Sequence, residues 1–191
     1  MRKIVLVMSV SLDGFIEGPH REIDWHVVGD ELHDHFNAQL RTMSAFLNGR
    51  IMYELMAKFW PTADLDPSSP RPVREYAKIW RDMPKIVFSR TLDRAEWNAT
   101  VSRDVDVEAI GKLKAQPGGD MALGGADLAA AFLARDLVDA YRIYVHPVVL
   151  GRGKPLFAAS DATRKLRLVE TRTFGNGVVL LHYERAAAPP S

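Results

Sequence analysis

Lys3 to Val10 is a near-continuous run of aliphatic and β-branched residues, the composition of a strand buried on both faces of a sheet covered by helices. From Asp30 onward Leu32, Phe36 and Leu40 recur at every fourth position, which predicts a helix with one apolar stripe ending near Met43. Ala45 to Asn48 reads as a short second strand. Gly49-Arg50 then opens a helix to about Phe59, with Met52, Leu55, Met56 and Phe59 placed inward. Four prolines between Pro61 and Pro72 mark a loop, followed by a helix to about Asp82.

Beyond it the pattern predicts strands at Lys85 to Ser89 and Thr100 to Ser102, and a helix from Asp106 to Lys114. A Pro117-Gly118-Gly119 turn precedes a strand at Met121 and an Ala-rich helix ending near Arg135. Alternation of helices and strands implies right-handed crossovers and a mainly parallel sheet. The last third changes character: Ala140 to His146 and Leu166 to Phe174 are longer strands, and Gly175-Asn176-Gly177 joins the latter to Val178–Tyr183 as a tight hairpin. The expected architecture is therefore α/β: about eight strands, mostly parallel, an antiparallel C-terminal hairpin, and helices on both faces.

With 191 residues and 47% apolar content the chain suffices for one core, expected over residues 1–185 with a frayed tail at 186–191. The net charge of +1 comes from interspersed acids and bases, which argues against nucleic acid and anionic membranes as partners. No apolar run approaches the ~20 residues of a membrane span and no signal-like segment opens the chain, so a cytoplasmic protein is expected. Lacking cysteine, the chain has no thiol nucleophile and no cysteine-ligated zinc site.

Candidate chemistry centres on Met121-Ala-Leu-Gly-Gly-Ala-Asp127, where a strand runs through paired glycines into a helix. That order leaves backbone N–H groups unpaired at the positive end of a helix dipole, which suits a phosphate or pyrophosphate. Paired glycines also serve as plain tight turns. Gly49-Arg50 repeats the strand, glycine, helix order upstream and favours a nucleotide cofactor.

Taken in order, these elements resemble the dihydrofolate reductase fold, and in particular the C-terminal reductase domain of the riboflavin-biosynthesis deaminase-reductase. The resemblance rests on Val10-Ser-Leu-Asp-Gly-Phe-Ile16, Asn48-Gly-Arg-Ile-Met-Tyr-Glu54, Leu123-Gly-Gly-Ala-Asp-Leu128, and Leu137-Val-Asp139 followed by His146-Pro-Val-Val-Leu-Gly-Arg-Gly153 and Pro155-Leu-Phe157. It implies an NADPH-dependent reductase acting on a small heterocycle of the ribosylaminopyrimidine or pterin class, and a homodimer. It places Ser9, Ser11 and Ile16 beside the nicotinamide, Gly49, Arg50, Ile51 and Met52 on one side of the pyrophosphate, and Gly124, Gly125, Ala126, Asp127 and Leu128 on the other. Ser89 and Arg90 fall where the family holds the adenosine 2'-phosphate. A hydroxyl beside a planar guanidinium suits a phosphate dianion, hence NADPH over NADH. The alternative for Arg90 is a solvated residue ending a strand.

On the substrate side, the interval from Trp25 to Asp30 matches the family's tryptophan-to-acid spacing, so Asp30 is the candidate catalytic group, with Trp25 and Glu31 as further substrate-binding candidates and Glu31 and Asp24 as rivals for the acid. A carboxylate there equally serves as a helix cap. His33 and His35 are two apart and face different ways, against a metal pair; they and His26 read as surface residues, and His146 as structural. Met83-Pro84-Lys85 stands where dihydrofolate reductases carry a folate-gripping arginine, which argues against folate. Two other classes stay open: a catalytically inactive NADP(H)- or ligand-binding sensor, and a scaffold whose glycines are only turns. The strand carrying Tyr141, Ile143 and Val145 is a candidate dimer contact, although burial within the monomer explains it equally well.

Overall fold

The computed structural model describes residues 1–186; the tail beyond lies outside the described residues. Ten strands and five α-helices alternate along the chain. They are β1 (Ile4–Ser11), β2 (Phe15–Glu17), α1 (Asp30–Leu40), β3 (Ala45–Gly49), α2 (Arg50–Phe59), α3 (Arg71–Asp82), β4 (Lys85–Phe88), β5 (Ala99–Ser102), α4 (Val107–Ala115), β6 (Met121–Gly124), α5 (Ala126–Ala134), β7 (Ala140–His146), β8 (Lys154–Pro155), β9 (Leu166–Thr173) and β10 (Val179–Arg185).

Eight strands form one sheet in the order β5-β4-β3-β6-β1-β7-β10-β9. The first six in that order pair in parallel, and β10 and β9 add the antiparallel edge. The parallel core follows from β1, whose successive side chains are all consumed by packing. Ile4, Leu6, Met8 and Val10 join Ile110 of α4 and Leu128 and Phe132 of α5, while Val5 packs with Leu40 of α1 and Trp80 of α3. A strand with helices on both faces needs apolar residues at every position, which is why β1 shows no alternation. The hairpin forms as expected: the Phe174 N–H donates to Val178 O at 2.9 Å and Gly177 sits at φ +85°.

One expectation needs correction. Leu55 and Phe59 of α2 are about half exposed, whereas Tyr53 is the residue of that helix driven into the core. The apolar stripe of α2 faces a cavity instead of the sheet. Tyr141 and Ile143 pack in the monomer's own core, the second of the two explanations open for that strand. Strands β2 and β8 were not legible and pair with each other as a small second sheet. They meet where Gly153, at φ +155°, passes so close to β2 that a Cβ would lie 2.2 Å from the Glu17 carbonyl oxygen.

Candidate functional site

At the carboxyl ends of the parallel strands β3 and β6 run side by side, with Asn48 opposite Gly124 in the ladder. The next residues begin α2 and α5, so both helix N-termini emerge from neighbouring strands. Neither has a side-chain cap. The first turn of a helix has no internal acceptors for its N–H groups, so two sets of donors converge on one place. Gly125 adopts φ +94°, a conformation costly for any residue with a Cβ, to turn from β6 into α5. Its own N–H is taken by the Met8 sulfur at 3.2 Å, a weak acceptor.

These two N-termini open on a cleft of about 780 Å³. Of the expected cofactor residues, Ile16, Gly49, Arg50, Ile51, Met52, Ser89, Arg90, Gly125, Ala126, Asp127 and Leu128 all line it. At its far end Ser89 Oγ accepts from the N–H groups of Thr91 and Leu92, which shapes the turn after β4. Arg90 is exposed and pairs with Asp104 through Nε and Nη2, at 3.1 and 2.7 Å. Arg103, which the sequence did not single out, lies beside it, held by the carbonyls of Ser89 and Leu92 at 3.2 and 2.8 Å. On the opposite rim Lys154 of β8 meets Asp127 at 2.6 Å and fastens the small sheet to the start of α5.

A second cavity, of about 600 Å³, adjoins the first and shares with it Met8, Ile23, His26, Met52, Leu55 and Met56. Its walls are strongly apolar, with Phe36, Trp60, Tyr76 and Trp80 facing Ala122, Leu123 and Tyr144. Ser9 and Gly124 line this second cavity and not the cleft. Volumes of this size match small-molecule sites.

The structure separates the remaining expected residues from both cavities. Ser11 is fully buried; its hydroxyl donates to Asp13 at 2.6 Å and accepts from the Phe15 N–H at 3.0 Å, holding the turn from β1 into β2. Asp13 also accepts from the N–H groups of Leu150 and Gly151, and the Ser11 hydroxyl followed by these amides holds its carboxyl below the usual range. Asp30 is exposed at the first position of α1 and lines neither cavity. Glu31 is turned to the hairpin, accepting from Gly175 N–H at 2.9 Å and Arg172 at 3.3 Å; the amide and then the guanidinium lower its pKa. Trp25 donates through Nε1 to Glu22 O and packs edge-on against His26. The α1 residues that do reach the cavity are His33, Phe36, Gln39 and Leu40, one helical face displaced from the acidic start.

The histidines also differ from the expected surface residues. His35 is buried with Nε2 3.1 Å from the Tyr144 hydroxyl. His26 and His146 stack with centroids 5.1 Å apart. Nδ1 of His146 accepts from the Val27 N–H at 3.2 Å, so the neutral ring carries its proton on Nε2, which is buried without a partner among the described residues. Burial, and then the neighbouring His146, push the His26 pKa down to about 4. His33 lies among Trp60 and Tyr76, and its ring makes no hydrogen bond with the described residues. Lys85 is fully buried, donating to Met83 O and Trp97 O at 2.8 Å across the end of α3, and burial lowers its pKa to about 8. It closes a helix and lines neither cavity.

One missed residue had a visible signal. Arg142 interrupts the otherwise apolar run of β7, and it lines the second cavity next to Tyr144.

Comparison with known proteins agrees with this arrangement. The family model of the RibD C-terminal domain matches residues 2–180. A Bacillus subtilis protein, the uncharacterized protein YyaP, is 39% identical over 183 residues, covering 95% of this chain and 94% of its own length. Among solved structures, the chain superposes on a dihydrofolate reductase from Enterococcus faecalis, complexed with NADP(H) and RAB-propyl, with a TM-score of 0.62 at 16% identity over 97% of each chain. A diaminohydroxyphosphoribosylaminopyrimidine deaminase/5-amino-6-(5-phosphoribosylamino)uracil reductase from Thermotoga maritima superposes with a TM-score of 0.66 at 17% identity, over 97% of this chain and 57% of that one. The fold is thus that of the dihydrofolate reductase-like reductases, and the chain belongs to the RibD C-terminal domain family.

Proposed function

We propose that this chain is an NADPH-dependent reductase that delivers hydride to a small heterocyclic substrate. The observation that carries the reading is the shared wall: a cleft headed by two uncapped helix N-termini runs directly into an apolar cavity across Met8, His26 and Met52. The residues present suit a dinucleotide phosphate. Amides of Arg50 to Met52 and of Ala126 to Leu128 would hold its pyrophosphate, and Arg90 with Arg103 its 2'-phosphate. When bound, the nicotinamide supplies the hydride.

The chain itself does the rest. Met8, Met52, Leu55 and Met56 give the junction of the two spaces an apolar lining, and a ligand seated there would displace water from it and strengthen the polar contacts it makes. Where the acceptor needs a proton, His33 and His26 are the cavity side chains able to carry one, since Asp30 lies outside. NADPH at ~100 times its dissociation constant would raise the unfolding free energy by about 2.7 kcal/mol. A thermal-shift titration with NADPH, followed by its oxidation across a panel of heterocycles, tests the proposal; no shift at millimolar NADPH rejects it. A second reading, a ligand-binding protein without turnover, draws support from the lack of any carboxylate in the cavity lining. It requires NADPH binding with no oxidation by any acceptor.

A further inference from the structure

Arg142 stands at the centre of β7, opposite Val7 of β1 and His182 of β10. Its sequence neighbours Tyr141 and Ile143 fill the core on the other face of the sheet, and Arg142 turns with Tyr144 toward the apolar cavity. The guanidinium makes no hydrogen bond or ion pair with any described residue, and its Nη1 is sealed from solvent. Of the neighbouring polar groups, the Tyr144 hydroxyl meets His35 at 3.1 Å, and Glu170, half exposed two strands away on β9, makes no ion pair with Arg142. Arg81, half-buried elsewhere, instead holds Asp64 through two contacts of 2.7 and 2.6 Å. A partly buried cation without a counter-charge destabilises a fold, so its retention calls for a group that supplies the charge from outside.

The rest of the lining narrows that group. No aspartate or glutamate lines the cavity, and its polar atoms besides Arg142 are those of hydroxyl, amide, imidazole and indole side chains. A cationic ring would meet no carboxylate there and would face the like charge of Arg142. A sugar phosphate would leave most of its hydroxyls against Phe36, Trp60 and Trp80. We infer that the cavity receives a flat, largely apolar molecule bearing one carboxylate-type anion that pairs with Arg142, and that it disfavours cationic molecules. The inference names the acceptor class for the reductase proposed above and rests on that reading of the cavity.

Naphthalene-2-carboxylate, 2-naphthylmethylammonium and 2,4-diaminopyrimidine serve as probes in calorimetric titrations of the full chain. The carboxylate should bind at least about tenfold tighter than either of the others. Arg142→Met should reduce carboxylate affinity at least about tenfold, with Arg142→Lys intermediate because the planar fork is lost and the charge kept. Arg142→Met should also melt higher than the parent, since it removes an uncompensated charge; a merely structural arginine would give the opposite shift. Equal affinity for the carboxylate and the ammonium, or an unchanged carboxylate affinity in Arg142→Met, overturns the inference. NADPH titrations of the same variant keep the readings apart, because the cofactor cleft does not contain Arg142. Carboxylate binding without any NADPH binding would reject the reductase and leave the anion site standing.

Discussion

Asn48 and Gly124 face each other across the β3–β6 ladder, and a Cβ on Gly124 would sit 3.3 Å from Asn48 Oδ1. This close register brings α2 and α5 out of the sheet as neighbours, and it sets the floor between cleft and cavity. Each of the two spaces then has its own chemistry: amide donors and arginines in one, aromatic walls and one guanidinium in the other.

Gly125→Ala tests the cofactor end. The residue holds φ +94°, so the substitution should cost roughly 1 to 2 kcal/mol of stability by urea unfolding. It should also weaken NADPH binding by displacing the first turn of α5. Unchanged NADPH affinity would remove α5 from the proposed pyrophosphate seat.

Arg90→Ala separates the two nicotinamide cofactors. The Arg90 side chain is 82% exposed, so its ion pair with Asp104 is screened by solvent and the fold should survive its loss. NADPH affinity should fall about tenfold while NADH affinity stays level, as read by fluorescence titration. A parallel loss for both cofactors would place Arg90 outside the 2'-phosphate site.

Position along α1 distinguishes Asp30 from His33. Asp30→Asn should leave ligand affinity in the apolar cavity unchanged and alter stability by less than about 1 kcal/mol, the worth of a carboxylate near a helix N-terminus. His33→Phe should change both the affinity and the pH profile of NADPH oxidation. The reverse pattern would restore the acidic residue to the substrate side.

Stability should fall in mild acid. His26 has its pKa lowered to about 4, so between there and the unfolded value near 6.5 the unfolded chain binds the proton that the native chain refuses. Its contribution is complete above about pH 6.5 and is lost toward pH 4, with a slope of up to about 1.4 kcal/mol per pH unit from this residue alone. Burial lowers His35 and His146 in the same direction. Urea midpoints at pH 7, 6 and 5 should decline steadily, and His26→Phe should flatten the curve.

Much of the parallel sheet and the two glycine-led helix starts that line the cleft were legible along the chain because both depend on local order. A buried strand, a glycine and an uncapped helix start are contiguous in sequence, so Gly49 to Met52 and Gly125 to Leu128 could be assigned to one wall before their strands were known to be neighbours. Ser11 was misplaced because a serine at a strand end looks the same whether its hydroxyl faces a ligand or closes its own turn on Asp13. Asp30 was misplaced because spacing from Trp25 says nothing about how α1 rotates, and the packing of Leu32 and Leu40 fixes that rotation with His33 toward the cavity.

Sequence alone determined the element order, the doubly covered β1, the hairpin at Gly175 to Gly177 and the two glycine-led helices, since each is set by periodicity or by backbone conformations that few residues adopt. Tertiary structure decided what no single segment encodes. The half-exposed stripe of α2, Tyr76 and Trp80 of α3, and Arg142 of β7 come from distant parts of the chain. They form a cavity only once the sheet register and helix packing bring their faces together, and the charge on Arg142 acquires its meaning from the absence of any carboxylate among those faces.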